Sequence, residues 1–284
     1  MSITHRPARP RGRARRSPLA ALALALACAA APLHAADLPA TPSAPTLAPA
    51  PAGTVPPDPL RSPSWDVMVR GFLSDHPVVF DDRVRVFLPT YAEDALNVPV
   101  QVDARALDGV TRILVVADLN PIPRLIEYRP VHAKPEISFR FKVEQSTPVR
   151  AAVLAGDGVW HVGGGWLTAS GGGCTTPSLG TGSKQWSDVL GQVSARLWPR
   201  PDGGSRLRLR TMHPMDTGLA AGIPKFYIEL ITLTDDAGRE LAQIEPWEPI
   251  SENPMISIDL DTTGPVRIIG RDIQGNRITG WVTP

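Results

Sequence analysis

The chain has 284 residues, with 29 lysines and arginines against 28 aspartates and glutamates, a formal charge of +1, and two cysteines. Six of those arginines lie in residues 1–16 and no acid lies in residues 1–35, so removing that segment leaves 23 basic and 28 acidic residues, a charge of −5. No clustered basic run is left for nucleic acid or an anionic membrane surface, and a single remaining cysteine excludes an internal disulfide.

In chain order, residues 1–35 read as an export signal, with a basic start, an apolar run from Leu19 to Pro32 too short to anchor in a bilayer, and cleavage after Ala35. The expected location is periplasmic, with no membrane anchor. Residues 36–63 hold nine prolines and read as a disordered Pro/Ala-rich linker, because they offer too little apolar surface to offset the entropy of ordering. Ser62 and Pro63 then resemble a helix start, and Trp65, Val69 and Phe72 give the short helix one apolar stripe.

Strands follow. Val84–Leu88, Val98–Val102 and Ile113–Ala117 are rich in β-branched residues. Ile137, Phe139, Phe141 and Val143 alternate with Ser138, Arg140 and Lys142, which predicts one dry and one wet face. Val149–Leu154 and Val159–Val162 flank the turn Gly156-Asp157-Gly158 as a hairpin. A helical segment is expected over 185–190. A second strand series then runs through Ser194–Trp198, Arg206–Arg210, Tyr227–Thr234, Glu240–Ile244, Met255–Leu260 and Val266–Ile269, with a last pair joined at Gln274-Gly275-Asn276. The chain reads as all-β, two antiparallel sandwich modules over 64–162 and 190–284, joined by a Gly-rich loop over 163–189.

That loop belongs to a stretch, Gly156–Gly182, holding ten of the 24 glycines. Cys174 stands in it after Gly171, Gly172 and Gly173, with Thr175, Thr176 and Pro177 following. No neighbour in sequence has an apolar side chain to cover the sulfur, so the reading is an exposed thiol on a mobile arm. Catalysis would need a fixed base and an oxyanion site, which a flexible loop holds poorly, whereas a carrier needs a presented thiol. No catalytic residue, resident cofactor or metal set is marked by spacing. His161 before the arm could polarise the Cys174 thiol but reads as a solvated strand-end histidine, and Trp160, Trp166 and Trp186, which could pin the base of the arm, read as packing residues. Met212, His213 and Met215 are soft-ligand types, which keeps a copper or metal chaperone as an alternative. The structural reading of that segment is a turn at the interface of the two modules. A non-catalytic adaptor is the third alternative.

At these motifs the chain resembles a family. Residues from about 64 to 175 resemble SoxY through the strand entered by Ser146-Thr147-Pro148-Val149-Arg150-Ala151 and the glycine-cysteine arm. Residues from about 190 to 284 resemble SoxZ through His213-Pro214-Met215-Asp216-Thr217-Gly218-Leu219, Ile223-Pro224-Lys225-Phe226-Tyr227-Ile228-Glu229 and Ser251-Glu252-Asn253-Pro254-Met255. The resemblance is to fused SoxYZ-like carriers associated with quinoprotein dehydrogenases. It implies two immunoglobulin-like sandwiches, a non-enzymatic role in sulfur metabolism, covalent cargo on Cys174, and periplasmic redox enzymes as partners, such as a quinoprotein dehydrogenase or cytochrome c system. One departure stands out: the family's arm is a free tail, while Cys174 is tethered on both sides.

Overall fold

A computed structural model describes residues 48–179 and 184–284. The expected export signal, the start of the linker and four residues of the expected loop lie outside that range. Strands β1 (Val78–Phe80), β2 (Arg85–Phe87), β3 (Val98–Asp103), β4 (Arg112–Ala117), β5 (Arg124–Pro130), β6 (Ala133–Phe141), β7 (Thr147–Leu154) and β8 (Trp160–Leu167) make up the first half. The second contains β9 (Val193–Pro199), β10 (Ser205–Thr211), β11 (Ile228–Thr234), β12 (Glu240–Pro246), β13 (Met255–Leu260), β14 (Val266–Asp272) and β15 (Arg277–Val282). The helices are short: α1 (Trp65–Met68), which runs on into a π-helical turn over Val69–Leu73, and α2 (Lys184–Ser187).

The molecule is all-β and two-layered, as expected. The two halves share their sheets. One sheet has nine strands in the order β1-β8-β7-β4-β5-β12-β11-β14-β15, and the other six in the order β2-β3-β6-β13-β10-β9. The seam is β5 against β12 in the first sheet, with Ile244 opposite Tyr128, and β6 against β13 in the second, with Ile258 opposite Ile137. A single apolar core runs between the layers across that seam, from Val98 and Phe139 in the first half to Leu207 and Ile268 in the second.

β5 escapes the alternation rule because Leu125, Ile126, Glu127 and Tyr128 are all buried in succession. A strand covered on both faces has no period-2 signature. Outside the nine-stranded sheet, Trp65, Met68, Val69 and Leu73 pack on Leu114, Val116, Ala152, Trp160 and Val162 in a second, smaller core. Trp160 Nε1 donates to Asp75 at 3.0 Å and fastens the far end of this helical segment.

Two expectations need correction. The described part of the linker is fixed to the sandwich: Ala50 bridges to Val78, and Asp58 receives both terminal nitrogens of buried Arg150 at 2.9 and 2.7 Å. Arg150 also donates to Asp118 and lies over the Trp65 ring at 4.4 Å. Composition predicts disorder from missing apolar area, but a buried ion pair and indole contacts hold this strap in place of an apolar core. The glycine arm also starts later than expected, because β8 runs through Gly163-Gly164-Gly165 to Leu167. A Cβ on Gly163 would lie 2.0 Å from the Val84 carbonyl oxygen, and one on Gly164 would lie 2.5 Å from that of Val149. These glycines permit close strand packing.

Candidate functional site

After β8 the chain is tied down residue by residue. Thr168 N donates to Thr90 O at 3.1 Å, Ala169 N to Ser146 Oγ at 3.0 Å, Gly172 N to Glu144 O at 3.3 Å and Gly173 N to Val143 O at 2.9 Å. Gly171 takes φ +93°, and a Cβ there would lie 2.2 Å from Glu144 O. A Cβ on Gly173 would lie 2.1 Å from Ala95 O and 2.7 Å from Val143 O. The run Gly171-Gly172-Gly173 therefore lets this loop lie flat on the backbone that follows β6.

Cys174 is consequently buried, which corrects the expectation of an exposed thiol. Its Sγ donates to Lys142 O at 3.5 Å, and Asn120 Nδ2 donates to the same oxygen at 3.0 Å. The Glu144 carboxylate accepts from Cys174 N at 3.0 Å, Thr175 N at 3.2 Å and Thr175 Oγ1 at 3.2 Å. Burial pushes the Cys174 thiol up to about 12, the Glu144 charge adds to the shift, and the Lys142 cation opposes it. At neutral pH about one such thiol in 10⁵ is ionised, so in this closed loop it is a poor nucleophile.

The covering groups come from far along the chain. Lys142, placed by alternation on a wet face, is buried: β6 ends at Phe141, and Lys142 Nζ donates to Met215 O across the seam. Burial moves its pKa down, while Asp216, Cys174 and Glu252 draw it back up. Thr217 Oγ1 donates to Cys174 O at 2.5 Å, Ser178 N to Asp216 Oδ1 at 3.0 Å and Leu179 N to Glu252 Oε2 at 2.9 Å. Two downstream motifs, around Met215-Asp216-Thr217 and Ser251-Glu252-Asn253, thus grip the cysteine loop.

The grip is itself held in an uncommon conformation. Met215 and Asn253 have φ of +53° and +51°, values that cost non-glycine residues on the order of 1 kcal/mol or more and are kept only where the surroundings over-determine them. Here the surroundings are explicit. Met215 N donates to His213 Nδ1 at 3.1 Å, Ile228 N to Met215 Sδ at 3.4 Å, Asn253 N to His213 O at 2.8 Å and His213 N to Asn253 Oδ1 at 3.1 Å. His213 is buried against Phe226, with ring centroids 4.4 Å apart, and its Nε2 lies 3.5 Å from Asp272. Burial lowers its pKa to about 4, outweighing the attraction of Asp272 and Asp216, and the Lys142 cation lowers it further. His213 Nδ1 and Met215 Sδ each accept a backbone N–H, and both side chains are fully buried, so neither is presented as an open ligand at the surface. Pro214 is buried in the same turn, while Gly218, at φ +79°, lies against Lys225, where a Cβ would come within 2.9 Å of Lys225 N.

His161 plays no part in this site. It is buried, not solvated, with Nδ1 2.7 Å from Asp81 and Nε2 3.0 Å from Asp157. Trp166 Nε1 donates to Leu60 O at 2.9 Å and pins the strap, while Trp186 meets His213 edge-on at 6.3 Å. Glu144, Lys142 and Asn120 were not legible as site residues, since a sequence gives no sign that a glutamate thirty positions upstream will cap the cysteine loop.

A family model described as Sulfur oxidation protein SoxY matches residues 69–174. That segment is similar to SoxY. Its last matched residue is Cys174. Among solved structures, the sulfur carrier protein SoxY from Chlorobium limicola f thiosulfatophilum is similar at 23% sequence identity, over 36% of this chain and 88% of that one, with a TM-score of 0.33. No curated protein matches the chain.

Proposed function

We propose that this protein is a non-enzymatic carrier in which Cys174 holds a sulfur-containing or related cargo covalently and presents it to periplasmic redox enzymes. The supporting observation is the SoxY match over residues 69–174, which ends on Cys174, the one free thiol among the described residues, in a glycine-rich loop. The SoxZ-like motifs of the second half give the fused SoxYZ-like reading, and with it the association with a quinoprotein dehydrogenase or cytochrome c system. The buried thiol adds a condition to this reading. The loop is a closed resting state, and cargo attaches when Glu144, Thr217 and Asp216 release it. In a disulfide-type attachment of a thiol cargo, both sulfurs lose their protons to solvent and two electrons pass to the redox partner.

Intact mass measurement on protein purified from its native host tests the proposal. The expected result is a reductant-labile adduct that is missing from Cys174→Ser. Unmodified protein under all growth conditions, with a fully functional serine variant, would overturn it.

A further inference from the structure

The outward face of the six-stranded sheet carries an arrangement that the carrier site does not use. Cross-strand register places its side chains in rows. One row is electrically closed: Arg206 opposite Asp259, with Arg206 also reaching Glu136 and with Arg85 and Arg105 on Asp103. The next rows toward the cysteine loop are open. Arg208 lies opposite Arg196 on one side and Ser257 on the other, Ser257 lies opposite Ser138, and Arg210 lies opposite Met255. Arg140 follows two residues beyond Ser138, and two residues before Lys142 at the cysteine loop. All four arginines are exposed, and none pairs with a carboxylate among the described residues.

Like charges directly opposite each other on a sheet are destabilising, and no carboxylate among the described residues neutralises the Arg208–Arg196 pair. Both guanidiniums lie over the exposed Trp198 ring, at 5.7 and 5.8 Å, which holds them on the surface without neutralising them. A shallow groove of about 430 Å³ runs alongside, lined by Phe87, Pro99, Arg140, Arg208 and Met255 from both halves. Arginine, tryptophan, phenylalanine and methionine are the residue types enriched at protein–protein interfaces, and lysine, which is depleted there, is missing from these positions.

We infer that this face is a docking surface for a partner protein presenting acidic side chains, seated beside the Cys174 loop. A second copy of the chain fits poorly, because an isologous contact would set these arginines against their own copies, and the acids of the face are already paired. A lipid surface fits poorly too, since the exposed apolar side chains of the face, Phe87, Trp198 and Met255, are interspersed with arginines and not gathered into one apolar face.

The test uses the full chain and poly-L-glutamate as probe, with affinity followed across a salt series. Wild type should bind, R196Q/R208Q should weaken binding by at least about tenfold and flatten the salt dependence, and R267Q/R277Q, an equal charge change on the other sheet, should stay within about twofold. R196Q alone should leave the melting temperature unchanged or raised, whereas a structural role for Arg196 would lower it. Cys174→Ser should bind as wild type does, which separates this result from the fate of the carrier reading. Equal loss in both double variants, no loss in R196Q/R208Q, or no binding would overturn the inference. So would arginine-dependent binding to phosphatidylglycerol vesicles but not to poly-L-glutamate, or a dimer in sedimentation that R196Q/R208Q dissolves.

Discussion

At the scale of single residues, the reactivity of Cys174 turns on whether its sulfur is covered. Thr217, Glu144 and Asp216 each hold the loop through one or more hydrogen bonds, and each bond to a charged group contributes roughly 1.5–3 kcal/mol. Iodoacetamide labelling followed by mass spectrometry should therefore be slow for the native protein. It should accelerate several-fold in Thr217→Val, which loses a neutral bond, and by about tenfold or more in Glu144→Gln, since about 1.4 kcal/mol of lost closure changes the open population tenfold. Labelling of wild type at the rate of the urea-unfolded chain would show that the closed loop does not protect the thiol. Proton linkage gives a second handle at each end of the pH scale. His213 binds its proton near pH 6.5 when unfolded but near 4 when buried, so the unfolded form binds more protons between those values. Stability should fall as pH drops from about 6.5 to 4, with a shallower slope in His213→Asn, measured by urea midpoints. Cys174 has the opposite sign: its thiol is weaker in the fold than its ordinary value of 9.0, so raising pH beyond that value favours the open loop.

Among the elements, the strap over residues 50–62 and the glycine-rich end of β8 have the clearest consequences. Arg150 satisfies two carboxylates and lies against Trp65, so removing it leaves the Asp118 charge buried without its partner. Arg150→Ala should cost about 3–5 kcal/mol in urea unfolding, and it should expose residues 50–62 to limited proteolysis before the sandwich is cut. A strap that stays protected in this variant would show that the Trp65 and Ala50 contacts suffice. In β8, Gly163→Ala should destabilise although alanine ordinarily suits a chain better than glycine, because its Cβ has a backbone carbonyl in the way. The glycine run was legible as an unusual segment. What was illegible was the reason for it, because glycine serves mobility and close packing equally well, and only the position of the Val84, Val149 and Ala95 carbonyls separates the two uses.

For the whole molecule, β5–β12 and β6–β13 make the halves one folded body with a continuous core. A protease site introduced between Leu179 and Lys184 should yield two fragments that co-elute in size exclusion and unfold in one transition. Fragments that separate, or two resolved transitions, would show the halves to be independent modules. Expressed alone, residues 190–284 would expose the edges of β12 and β13, and unpaired edges of that length promote aggregation.

The sequence by itself determined the all-β class, most strands, the hairpin at Asp157 and the singular position of Cys174, because alternation and turn chemistry are local and act within a few residues. It also carried the motifs around Met215 and Glu252 without showing what they touch. Only the tertiary structure decided that these motifs close over the thiol, that Lys142 and Glu144 join them, and that Arg140, Arg196, Arg208 and Arg210 gather on one face of a near-neutral chain. Those outcomes depend on sheet order and register. They bring together residues that are tens of positions apart, and no local pattern encodes a contact at that range.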